Sequence, residues 1–128
     1  MTTLKPIVWI GRSKDDLSKF PQDAKEDIGY ALYEAQCGRK ATSVKPLNGY
    51  GGASVLEIAE DHDGDTYRAV YTVKFDEAIY FLHAFQKKSK SGIKTPKSEM
   101  DKVDARLKLA IKEHEKWHAR ENQTKPKP

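Results

Sequence analysis

The sequence predicts an α+β domain: a small, mainly antiparallel sheet with an N-terminal helical hairpin and a C-terminal helix. Three observations predict it. Apolar residues recur at helical spacing in two separate stretches, residues 22–37 and 97–118. Between residues 54 and 75 the spacing drops to every second residue, and "AIYFLHAF" (78–85) follows, apolar on both sides. No segment repeats and no linker divides the chain. Residues 1–118 therefore read as a single domain and 119–128 as a disordered basic tail.

The elements follow in order. "PIVWI" (6–10) is a short strand. Ser13 offers an N-cap to a first helix, with Asp15 and Asp16 in the first turn where negative charge suits the helix dipole. Pro21 separates it from a second helix, Gln22 to Cys37, which carries Ala24, Ile28, Leu32 and Ala35 on one stripe and stops at Gly38. "SVLEIAE" (54–60) is a strand, and "DHDGD" (61–65) is the turn into "TYRAVYTVKF" (66–75). There Tyr67, Ala69, Tyr71, Val73 and Phe75 share one face, and Thr66, Arg68, Thr72 and Lys74 share an open one. After Asp76–Glu77 comes the apolar central strand. Thr95-Pro96 starts the last helix, expected to run to about His118.

Composition limits the function. The 128 residues suffice for a core without disulfides, and Cys37 is the single cysteine. No apolar run approaches the ~20 residues of a membrane span, and the N-terminus lacks a signal-peptide core, so a cytoplasmic protein is expected. Charge is uneven. Residues 1–85 hold 10 basic and 13 acidic side chains, whereas residues 86–128 hold 13 and 6. A basic half of this kind suits a polyanion partner.

Several motifs dissolve in context. "HEKWH" (114–118) matches H-E-x-x-H, in which His114 and His118 would bind zinc and Glu115 would act as base. Only Glu121 follows as an acid, and His114 lies on the apolar stripe with Trp117, so packing explains it and no metal site is assigned. "DHDGD" alternates carboxylates, but its glycine is misplaced for a calcium loop, and a hairpin turn is expected. "NGYGG" (48–52) lacks phosphate-loop spacing and reads as a flexible loop. Cys37 reads as structural, and His83 as a core histidine with its hydrogen bonds satisfied, a catalytic role being the alternative because it lies four residues from Lys87.

One constellation survives. The central strand runs straight into Lys87, Lys88, Lys90 and Lys94, with no acid before Lys97. Pairing back through the Asp76–Glu77 turn sets Phe85 opposite Arg68. Arg68, Lys87 and Lys88 then converge on one rim, where a guanidinium can hold two phosphate oxygens and ammonium groups add point charge. Crowded cations also lower a lysine's affinity for its proton, which suits proton transfer.

These residues resemble a known family. "YRAVYTV", then "YFLHAFQKKSKSGIKTP" leading into a basic helix, resemble the RelE/HigB-like toxins of bacterial type II toxin–antitoxin systems, in the branch related to phage proteins. "WIGRSKDDLSKFP", "DIGYALYEAQCG" and "VKPLNGYGGASVLEI" fit the same branch, so the likeness covers residues 6–112. The resemblance implies a RelE-like fold and a ribosome-dependent mRNA endonuclease, in which the ribose 2′-OH attacks the adjacent phosphate without a cofactor. It implies that Arg68 stabilises the transition state and that Lys87 and Lys88 supply charge and proton transfer. Lys45, Lys90 and Lys94 would contact RNA, and Phe85 would stack on a base. The implied partners are a HigA-like helix-turn-helix antitoxin, the ribosomal A site and its mRNA. Two alternatives are a ParE-like toxin of the same fold that binds DNA gyrase, and a non-enzymatic phage-derived binding protein.

Overall fold

The computed structural model describes residues 4–51, 54–87 and 96–124, with side chains as far as residue 119. Five strands form one sheet: β1 (Ile7–Trp9), β2 (Val44–Pro46), β3 (Val55–His62), β4 (Asp65–Thr72) and β5 (Ile79–Lys87). Their order is β1-β5-β4-β3-β2, with β1 parallel to β5 and every other pair antiparallel. The helices are α1 (Ser13–Ser18), α2 (Gln22–Gln36) and α3 (Lys97–Thr124). The expected α+β architecture is the one observed, and it is consistent with a RelE-like fold.

Each face of the sheet is closed by a different helix. Ala24, Ile28, Ala31 and Leu32 of α2 pack on Ile58, Ala69, Tyr71 and Phe81, all buried. On the opposite face Val103, Leu107 and Ala110 of α3 pack with Val55, Val70, Tyr80 and Leu82. β4 was expected to leave one face open. Instead Val70 and Thr72 are buried on that side, because α3 and Tyr50 cover this end of the sheet. Tyr50 donates to Asp104 Oδ1 at 2.6 Å, tying the "NGYGG" segment to α3.

The turns obey local chemistry. Asp63 and Gly64 both take positive φ (51° and 83°), the pattern of a two-residue hairpin turn, and β3 and β4 pair fully from there, as expected of "DHDGD". Ser13 is not an N-cap: it lies inside α1, and its buried hydroxyl donates to the Phe81 carbonyl at 3.0 Å. That bond, with Ile10 N–H to the same carbonyl, lays α1 along β5 where the short β1 ends. β2 was not expected. Its three residues end in Pro46, too few and too broken to show a period. The last helix continues six residues beyond His118, while Thr95 lies outside the described residues.

Tyr71 sits at the centre of the α2-side core with its ring fully buried. Among the described residues its hydroxyl has no hydrogen-bond partner, and burial pushes its pKa up to about 12. An unsatisfied buried hydroxyl costs free energy that its removal returns. Tyr71→Phe is therefore expected to stabilise the fold by about 1 kcal/mol, read as a higher urea midpoint at unchanged slope.

Candidate active site

The site is built by an irregularity in β5. Thr72 pairs with Tyr80 and Tyr71 with Phe81, but Val70 pairs with His83, so the register skips Leu82. Such a bulge sets two residues against one and re-aims every side chain beyond it. Leu82 and His83 both face α3. Without the bulge, strict alternation from Phe81 would turn Phe85 and Lys87 toward α2. With it, both join the α3 face, which already holds Arg68.

The register then fixes the site. Arg68 pairs with Phe85 and Thr66 with Lys87. Directly paired residues share a face, so Arg68 and Lys87 are diagonal neighbours, a separation of roughly 7–8 Å that long side chains bridge. Lys45 pairs with Glu57 one row away on the same face. The structure thus brings together Arg68, Phe85 and Lys87, with Lys45 at the rim. Lys88, Lys90 and Lys94 lie outside the described residues.

Two acids complement the guanidinium. Glu57 and Asp61 flank Ala59, the β3 partner of Arg68, and lie 3.8 and 3.6 Å from Arg68 Nε and Nη1. Both separations exceed hydrogen-bond length, so these ion pairs orient the fork loosely. Arg68 Nη1 donates to its neighbour's carbonyl, Tyr67 O, at 3.1 Å. Arg68 is 17% exposed, Lys87 only 7% and Phe85 5%. Phe85 therefore belongs to the core here, stacked on His83 with centroids 5.3 Å apart, and offers little ring surface to a base.

A second network lies beneath, and sequence reasoning found only its histidine. Arg106 Nη1 donates to Leu82 O (3.0 Å) and Asp16 Oδ2 (3.1 Å), and approaches His83 Nδ1 at 2.9 Å. The Leu82 carbonyl belongs to the bulge, so Arg106 satisfies what the irregularity frees. Guanidinium only donates, so His83 Nδ1 must accept and Nε2–H donates to Glu99 Oε1 at 3.1 Å. Gly11, at positive φ, lets the guanidinium of Arg106 pass close by: a Cβ there would lie 3.4 Å from Nε. An open cleft of about 500 Å³ runs beside this network, past Asp16, Lys19, Phe20, Tyr67 and Gln86.

The comparison with protein families decides the kinship. Residues 15–108 match the family described as Phage derived protein Gp49-like (DUF891). The chain belongs to the Gp49-like family. This is a broad family of toxin–antitoxin toxins, in agreement with the resemblance drawn from the motifs, and it implies an antitoxin partner. No curated protein matches the chain. The matched span of this Gp49-like chain includes Arg68, Lys87 and the whole Arg106 network. No helix among the described residues is long and apolar enough to cross a membrane.

His83 gives this Gp49-like site a pH signature. Burial, aided by the Arg106 charge and only partly opposed by Glu99, holds its pKa below the ordinary value. The unfolded chain then takes up a proton that the folded one refuses. Stability is complete above the unfolded pKa of about 6.5 and falls as pH drops toward the folded value. Urea unfolding at pH 7.5 and 5.5 is expected to show this loss in the parent. His83→Gln, which can keep both hydrogen bonds without titrating, should reduce it.

Proposed function

We propose that this chain is the toxin of a type II pair and acts as a ribosome-dependent mRNA endonuclease. The observation that carries the reading is the diagonal placement of Arg68 and Lys87 about Phe85 on one face. Two cations at that spacing, carried on paired strands, suit a single phosphodiester.

The chemistry needs three services. A base takes the proton of the ribose 2′-OH, whose oxygen attacks the adjacent phosphorus. A cation stabilises the charge that builds on the non-bridging oxygens. An acid then protonates the departing 5′-oxygen, leaving a 2′,3′-cyclic phosphate and a 5′-hydroxyl. Arg68 serves the second role, with Glu57 and Asp61 holding its fork until phosphate arrives. Lys87 and Lys88 serve proton transfer and added charge, and Lys45, Lys90 and Lys94 guide the messenger strand. A HigA-like helix-turn-helix antitoxin would neutralise the toxin by covering this basic face.

Induced expression followed by mapping of mRNA ends tests the reading. Translation should stop, and new 5′-hydroxyl ends should appear only on ribosome-bound messages. Gyrase-linked DNA damage with intact mRNA would instead support the ParE-like alternative, and neither outcome would leave a binding module.

A further inference from the structure

The H-E-x-x-H segment set aside in the sequence gains a third ligand from elsewhere in the fold. His114 and His118 lie one turn apart on α3, and the β4–β5 turn delivers Glu77 between them. Glu77 Oε2 stands 2.8 Å from His114 Nε2 and 3.3 Å from His118 Nε2. The three ligand atoms all lie within 4.8 Å of one another. We propose that Glu77, His114 and His118 form a site for a divalent transition metal of the zinc class.

Three features point to a cation rather than to simple packing. First, Glu77 Oε2 is buried, yet no hydrogen bond reaches it among the described residues, despite the 2.8 Å approach. Both imidazole Nε2 atoms thus converge on one carboxylate oxygen without a hydrogen bond joining them. A metal ion serves all three atoms. With metal–ligand bonds near 2.0–2.2 Å, a tetrahedral ion sets its ligands roughly 3.3 Å apart, so small side-chain adjustments complete the geometry.

Second, the outer partner is present. His114 Nδ1 lies 3.2 Å from the Tyr80 hydroxyl, which can accept from Nδ1–H and so leave Nε2 for a metal. Third, the ring is locked. It is buried, stacked on Phe75 with centroids 3.9 Å apart, and bordered edge-on by Trp117. His118, by contrast, is 58% exposed and leaves the fourth position open to solvent.

The site lies far from Glu99, the partner of His83. Fifteen residues of α3 separate His114 from Glu99, about 22 Å at ~1.5 Å per residue. Its role is to clamp the later part of α3 to the β4–β5 turn. It owes nothing to the RNase reading, and its test is independent of that reading.

The experiment uses the tag-free full chain with zinc, and cobalt as a spectroscopic probe. One equivalent of zinc per chain should bind, raise the melting temperature by several degrees, and be reversed by chelator. Cobalt should give the visible ligand-field bands of a four-coordinate ion. His118→Ala, at an exposed position that leaves the apo fold unchanged, should weaken binding at least tenfold. Tyr80→Phe should weaken it about tenfold through the outer contact. His62→Ala is the control, because Asp27, Glu60 and His62 form another group of ligand type. The proposal is overturned if zinc does not saturate the chain, if His118→Ala binds as tightly as the parent, or if His62→Ala abolishes binding.

Discussion

Replacing Arg68 with alanine is expected to slow the proposed ribosome-dependent mRNA cleavage about 10²–10³-fold, the usual loss when one preorganised charge-stabilising donor is removed. The fold should survive, because Arg68 is not one of the apolar residues that form either core cluster. A side effect must be separated from the catalytic one. Alanine leaves Glu57 and Asp61 flanking Ala59 without their shared cation, which repels an incoming phosphate as well as removing a donor. Arg68→Lys tests this, since it keeps the charge but loses the two-pronged fork. Lysine should recover strand binding while most of the rate loss remains. Single-turnover cleavage on programmed ribosomes, with melting curves of each variant, distinguishes the cases. A normally folded Arg68→Ala chain that cuts at the parental rate removes Arg68 from the site.

The position of this arginine was legible in the sequence for a partly accidental reason. Counting back through a two-residue turn set Phe85 opposite Arg68, and the structure has that pair. The turn is longer, however. Near it Thr72 faces Tyr80, one residue out of the counted register, and the bulge at Leu82 restores the count. Nothing in "AIYFLHAF" announces a bulge, because a strand buried on both faces shows no alternation to interrupt. The same absence of a period concealed β2, whose three residues end in a proline.

Longer elements were legible because their periods are long. The α2 stripe and the spacing of Met100, Val103 and Leu107 each repeat over several turns. What local pattern could not reveal is closure between distant segments. Asp16, His83, Glu99 and Arg106 meet only after α1 and α3 both dock on β5. Glu77 reaches His114 and His118 by the same kind of closure, whereas sequence reasoning sought a third ligand only downstream of the motif. Charge was misleading in one respect. The basic surplus of residues 86–128 predicted a cationic rim, yet Arg68 arrives with two carboxylates attached. Those acids lie close enough to orient the guanidinium.

Replacing Phe81 with alanine is expected to destabilise the chain by about 3–5 kcal/mol, the cost of emptying a buried aromatic site. Phe81 is fully buried in β5, the strand between β1 and β4, tilted against Trp9 with ring centroids 4.9 Å apart. Its side chain packs in the α2-side core, while its carbonyl accepts from Ile10 N–H and Ser13 Oγ. The cavity would thus open where β1, α1 and β5 join, and the short β1 has only three paired residues to resist it. A domain of this size has about 5–15 kcal/mol of stability in total, so the loss consumes a large part of it. The melting temperature should fall on the order of 10–20 °C. Phe81→Leu fills most of the space and should cost less than half as much. Because the bulge begins at the next residue, loosening Phe81 should also weaken the aim of Phe85 and Lys87. Cleavage by Phe81→Leu, measured well below its melting point, is therefore expected to fall several-fold more than its folded fraction does.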